Sequence, residues 1–243
     1  MSLHIFRRFP RFLPALQRGG TGLGLLLLGL PLAAQQRVGA RLRSPRPVNA
    51  RGAVTLDTLT GRPTLYAVGV AEEGGEILVV AGRALTTRHQ PDGTTESTVG
   101  FQGRAVWLLQ RRVTQWLDAG AVPATATAPA QLARFIQAAS MRAGLKPRLS
   151  QPFRLLGEPL AVWWHVAAFP TTSPADEFAA GPGAYGRFAQ GPVELVGFML
   201  PAKRRAPKHL HLHGCPTDQP FVVHVDSLRP GSGLRLLLPA LPQ

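Results

Sequence analysis

The chain has 243 residues, of which 45% are apolar, enough for one large domain or two small ones with a real core, and this excludes a disordered polymer. Its formal charge of +14 comes from 27 Lys and Arg against 13 Asp and Glu, but the basic residues are mostly arginines scattered singly. They lack the aromatic-interleaved stripe of a nucleic-acid groove, and a single cysteine, Cys215, excludes an internal disulfide.

The first 34 residues read as a secretory leader: Arg7, Arg8, Arg11 and Arg18, then the apolar run Leu23–Leu32, then Ala33-Ala34-Gln35 as a small-residue cleavage site. The apolar run is too short to span a bilayer, which takes about 20 residues, so the expectation is an exported protein, periplasmic or extracellular, with no stable membrane span after cleavage. Residues 35–52 are rich in Arg, Pro and Gly and read as a flexible lead-in.

From Val54 onward, short apolar segments broken by turn residues predict strands. These are Thr64–Val70, Glu76–Ala81, Arg83–His89, Ser97–Phe101 and Ala105–Val113, the last with a helical turn toward Trp116-Leu117 as an alternative. Glu72-Glu73-Gly74-Gly75 and Gln90-Pro91-Asp92-Gly93 supply turn chemistry between them. A Pro/Ala/Thr stretch, Ala119–Thr127, separates this half, 53–120, from a second half, 121–243, which opens with a helix. There Leu132, Phe135, Ile136, Ala139 and Ala143 fall on one helical face, Thr127 can cap, and Gly144 followed by Pro147 ends it. Strands follow at Phe153–Leu156 and Leu160–Phe169, then a loop at Thr171–Gln190, then strands at Val193–Leu200, Lys208–His213, Phe221–Leu228 and Leu234–Leu238.

Four of the seven histidines and the only cysteine lie between His209 and His224. Side chains at i and i+2 of a strand share a face, so His209, His211 and His213 point one way while Leu210 and Leu212 point the other. If the following hairpin sets His224 opposite His211, three imidazoles meet, and three nitrogens with a fourth position open are the pattern of a catalytic zinc site. Two alternatives stand beside this. A histidine-rich tract can scavenge metal nonspecifically. A cupin-like metal-binding barrel also uses HxH on a strand, although it wants a Glu soon after, where this chain has only Asp218.

Glu194-Leu195-Val196-Gly197-Phe198-Met199-Leu200-Pro201, His211-Leu212-His213 and Val223-His224-Val225-Asp226 together resemble the C-terminal part of the bacterial acetolactate decarboxylases. In that family an LVGF-type strand precedes a zinc-binding HxH, and a third ligand His lies eleven residues on, the spacing from His213 to His224. Gly75-Glu76-Ile77-Leu78-Val79-Val80-Ala81-Gly82 resembles the family's GE-apolar-DG segment, with Ala81 in place of the usual Asp. The resemblance covers roughly residues 54–240 as one continuous domain. It implies an α/β (α+β) fold of mixed and antiparallel sheets in two packed halves with few helices and a zinc site at their interface. It also implies a homodimer, Zn²⁺ on His211, His213 and His224, and decarboxylation of a 2-hydroxy-3-oxo acid, 2-acetolactate, to acetoin through a metal-bound enediolate. Glu76 and His165 are the implied catalytic groups, His165 standing where the family has an arginine; the family's C-terminal Glu has no counterpart here. The alternative is a secreted zinc-binding homologue without turnover.

Overall fold

The computed structural model describes residues 54–145, 150–168, 183–200 and 210–241, all within the compact unit Val38–Gln243. The expected leader, the lead-in, His209 and most of the expected loop at 171–190 lie outside the described residues.

Six strands form the first sheet: β1 (Val54–Thr55), β2 (Leu65–Ala71), β3 (Glu76–Val80), β4 (Arg83–His89), β5 (Thr95–Val99) and β6 (Arg104–Arg112), in spatial order β1-β6-β2-β3-β4-β5. The chain then crosses to a second, eight-stranded sheet through β7 (Trp116–Ala121), the helix α1 (Pro129–Arg142) and β8 (Gln151–Gly157). That sheet is completed by β9 (Ala161–Val166), β10 (Ala184–Phe188), β11 (Val193–Met199), β12 (Leu210–Pro216), β13 (Val223–Arg229) and β14 (Arg235–Pro239). Its spatial order is β10-β9-β13-β12-β11-β8-β14-β7.

Every strand pairing among the described residues is antiparallel, which corrects the expectation of mixed sheets. A parallel pair needs a long crossover between neighbouring strands. Here the one long helical connection joins β7 to β8, and β14 lies between those two strands.

Burial explains the composition of the strands. β2, LYAVGVA, is buried along its whole length because both faces of the first sheet are covered. On the outer face Leu56 and Leu59 of a short 3₁₀ turn pack against Ala67, Ile77 and Val79. On the inner face Tyr66, Val68, Leu78 and Leu85 meet Val196, Phe198 and Val222 of the second sheet. The other face of the second sheet packs Phe153, Leu195, Leu212 and Val225 against Leu132, Ile136 and Ala139 of α1. Each of these large side chains contributes about 1.5–3 kcal/mol of burial free energy. Gly197 makes room for Phe153: a Cβ there would sit 2.2 Å from the ring's Cζ.

Four local expectations change. Trp116-Leu117 is strand rather than helix, because β7 pairs with β14 as an edge of the second sheet. Ala128, not Thr127, occupies the N-cap of α1. The Gln131 Oε1 instead accepts the backbone N–H groups of Thr127 and Ala128 at 3.1 and 3.0 Å and the Thr127 hydroxyl at 3.2 Å. Ala184–Phe188, expected to be loop, is the edge strand β10. In the histidine hairpin, His224 faces His213 rather than His211. That slip is two residues, and a two-residue slip leaves every side chain on the face expected of it.

Candidate metal centre

The antiparallel register lines up one imidazole from each of three neighbouring strands. His165 of β9 is paired with His224 of β13, and His224 with His213 of β12. Directly paired residues put their side chains on one face, about 4.5–5.5 Å apart at Cβ. His211, two residues before His213, joins the row from the adjacent pleat. The result is four buried imidazoles in contact. Ring centroids are 4.7 Å apart for His165–His224 and for His211–His213, 5.1 Å for His211–His224 and 5.6 Å for His213–His224. Leu210 and Leu212 turn to the helix side, as the alternation requires.

The first sheet closes over this row. Glu76, the first residue of β3, is 0% exposed; its Oε1 accepts the Ala167 N–H at 3.0 Å, and its Oε2 lies 3.4 Å from His213 Nε2. Gly75 N–H donates to the Ala167 carbonyl at 3.0 Å, so the end of the β2–β3 connection docks on the chain just beyond β9. Trp107 of β6 meets the His211 ring edge-on, with centroids 4.8 Å apart.

Hydrogen bonds assign the protons. His213 Nδ1 lies 2.9 Å from the Ile77 carbonyl oxygen. A carbonyl only accepts, so Nδ1 carries a proton, and in the neutral tautomer this leaves the lone pair on Nε2. His211 Nε2, 2.8 Å from that lone pair, is then the donor of an N–H···N bond. For both nitrogens to hold a cation, the His211 proton would have to move to Nδ1 of its own ring, which frees the second lone pair.

Asp226 is the site residue that the sequence did not single out. It is the extra residue of a β-bulge between Val225 and Ser227. Its Oδ1 lies 2.7 Å from His165 Nδ1 and 3.3 Å from His224 Nδ1. Burial alone would raise the Asp226 carboxyl, but hydrogen bonds from His165 and His224 more than offset it and lower the pKa to about 2. The signal available was a carboxylate two residues after His224, hence on the same strand face. His165, His224 and Asp226 form a group that could hold a metal ion, their ligand atoms lying within 4.8 Å of one another. An all-imidazole or imidazole-plus-carboxylate donor set suits zinc and later transition metals rather than magnesium or calcium.

Of the residues expected at the site, Glu76, His165, His211, His213 and His224 are brought together, and His209 lies outside the described residues. Cys215 follows His213 by two positions on β12 but pairs with Glu194 and is buried as a free thiol. Burial first, and the Glu194 charge second, push that thiol up to about 12, so it remains protonated. Beside His224 and Asp226, a narrow cavity of about 30 Å³ opens toward Thr127, Ala128 and Pro129 at the start of α1, with room for about one water.

Two antiparallel sheets with one helix are the fold of the acetolactate decarboxylases. The chain matches α-acetolactate decarboxylase from Bacillus subtilis strain 168 with a TM-score of 0.53 at 17% identity, covering 78% of this chain and 79% of that one. It matches the acetolactate decarboxylase of B. subtilis subspecies spizizenii with a TM-score of 0.54 at 17% identity over 79% of each chain. A Staphylococcus aureus protein of unknown function, described as similar to α-acetolactate decarboxylase, gives 0.58 at 12% identity over 79% of each. At these identities the likeness is one of fold. No protein-family model matches the chain. No curated protein matches it either.

Proposed function

We propose that this chain is an exported, zinc-dependent decarboxylase of a 2-hydroxy-3-oxo acid, acting on 2-acetolactate to give acetoin and CO₂. The observation that carries the reading is the meeting of four imidazoles and a fully buried glutamate where the two sheets of an acetolactate decarboxylase fold pack together. His211, His213 and His224 are the proposed ligands. A zinc ion held there supplies Lewis-acid charge to the substrate's oxygens.

The chain's own residues then handle the proton. When the bond between the carboxylate carbon and C2 breaks, CO₂ departs and the electron pair left behind needs one proton on carbon. Glu76, excluded from water and beside His213, holds that proton as a carboxylic acid and regains it from solvent after product leaves. His165, its Nδ1 committed to Asp226, presents an imidazole where the family resemblance places a guanidinium. An imidazole gives a carboxylate a weaker grip than a bidentate guanidinium does. This favours the second reading, a secreted zinc-binding homologue without turnover.

Metal analysis of purified protein together with an acetoin colour assay on racemic acetolactate separates the two. Zinc bound near one equivalent with acetoin formed supports the decarboxylase. Zinc bound with no acetoin supports the non-catalytic homologue, and absence of metal at neutral pH removes the site altogether. Among the described residues no helix is long and apolar enough to cross a membrane. Sequencing the N-terminus of the exported protein tests cleavage after Ala34.

A further inference from the structure

We infer that Asp226 is a positioning residue: a single carboxylate oxygen, delivered by a β-bulge, fixes the ring protons of both His165 and His224 on Nδ1, leaving Nε2 of each ring as the lone-pair atom. This deepens the proposed metal reading and rests on it only for the consequence in metal affinity; the proton assignment stands without any metal.

Three observations carry it. Oδ1 of Asp226 is within hydrogen-bond distance of both Nδ1 atoms, at 2.7 Å for His165 and 3.3 Å for His224. An ionised carboxylate accepts and cannot donate, so both nitrogens must be the donors. The backbone is bent to make this contact. Val225 pairs with Trp164 and Ser227 with Trp163, so Asp226 is the one residue of β13 in this stretch with no cross-strand partner on β9. Bulges re-aim a side chain in this way, and here the re-aimed side chain returns to the ring of its own strand, His224, and to the paired ring, His165. His213 shows the same device built differently, its Nδ1 proton being given to the Ile77 carbonyl of the facing sheet. Thus His213 Nδ1 is oriented by main chain, which no side-chain substitution removes, whereas the Nδ1 atoms of His165 and His224 share one carboxylate oxygen.

A carboxylate or carbonyl partner on the second ring nitrogen orients a metal-binding imidazole and raises its basicity. Losing that partner costs about 10–100-fold in metal affinity.

Long-range ¹H–¹⁵N NMR of histidine side chains in the metal-free protein reads the tautomers directly. The wild type is expected to show Nδ1–H for His165, His224 and His213. Asp226→Ala is expected to move His165 and His224, but not His213, toward the Nε2–H form. Asp226→Asn, whose amide oxygen still accepts, is expected to retain Nδ1–H at both rings, and it serves as the readout if the alanine variant does not fold. Titration with Co²⁺ adds an independent measure. Asp226→Ala is expected to bind about 10–100-fold more weakly with an unchanged visible band shape. Nε2–H rings in the wild type, or unchanged tautomers in Asp226→Ala, would overturn the inference, as would an altered Co²⁺ band shape, which would make Asp226 a ligand. Expected tautomers without Co²⁺ binding would leave the positioning role standing and remove the metal reading instead.

Discussion

Zinc that binds only the folded chain must raise its melting temperature, and the site's construction sets the scale. The proposed ligands come from two strands, β12 and β13, and His213 is also tied through Ile77 to the opposite sheet, so unfolding scatters the set. At free zinc a thousandfold above the dissociation constant, mass action contributes about 4.1 kcal/mol. For a domain of this size each kcal/mol is worth about 2–4 °C, so zinc is expected to shift the melting temperature by about 8–16 °C. His213→Ala removes one ligand, a fully buried ring and the hydrogen bond to Ile77. The metal-free variant should be less stable by about 3–5 kcal/mol, from lost packing and one lost buried hydrogen bond, and its zinc shift should vanish. His165→Ala should keep most of the shift. The assay is thermal unfolding in chelator and in zinc-buffered solution for the wild type and both variants. A zinc shift that survives His213→Ala but disappears in His165→Ala would refute the ligand assignment and move the ion to the His165, His224 and Asp226 group. No shift in the wild type would refute the site.

Glu76→Gln keeps the shape of the side chain but not a transferable proton; acetoin formation should fall about 10²–10⁴-fold while the zinc shift persists, and unchanged turnover would exclude Glu76 as the proton carrier. Ala81 has φ +47° and Gly82 φ +75°, a pair of left-handed residues between β3 and β4 that favours Asn-Gly. Ala81→Asn should therefore raise the urea midpoint by the equivalent of about 0.5–1 kcal/mol, and a lowered midpoint would contradict the strain argument. Gly197→Ala drives a Cβ into the Phe153 ring and should destabilise by about 1–3 kcal/mol, with partial rescue in combination with Phe153→Leu; simple additivity would show that the two do not share the space. Cys215 should resist iodoacetamide at pH 8 in the native protein and react in urea. Because burial raises its folded pKa to about 12 from an ordinary 9.0, its contribution to stability is complete below pH 9 and is lost as pH rises from there toward 12, which alkaline unfolding of wild type and Cys215→Ala compares.

The sequence shows the site where chemistry depends on alternation along one strand. His211 and His213 share a face by the period of two, and the misplacement of the hairpin by two residues did no harm for the same reason; a slip of one would have sent His224 to the helix side. What could not be read depends on pairing between distant segments. Asp226 matters because a bulge delivers its carboxylate to His165, sixty-one residues away in the chain, and no local pattern announces a bulge. β10 was hidden because an exposed edge strand, with Gly186 packed under the Trp164 ring, has the composition of a loop. The helix was legible from its apolar stripe, while its start was off by one because the Thr127 hydroxyl donates to Gln131 Oε1 instead of accepting an N–H of the first turn.

In this strongly basic chain the imidazoles nevertheless lie among oxygen groups. Along the row of the second sheet, His165, His224 and His213 are followed by Val196 and Arg154. Arg154 lies over the rings of Tyr66 and Trp116, 5.3 and 5.4 Å from their centroids, and is hydrogen-bonded to Glu194, so its charge is engaged within the second sheet and against one ring of the first. The polar groups beside the imidazoles include the carboxyls of Glu76 and Asp226 and the carbonyl of Ile77, with the rings of Trp107 and Tyr185 also packed against them. Oxygen groups of this kind favour a positive ion over an anion. On the proposed reading a carboxylate substrate would meet a favourable field here only after a metal had bound, so metal binding would be the first event at this site and substrate binding its consequence.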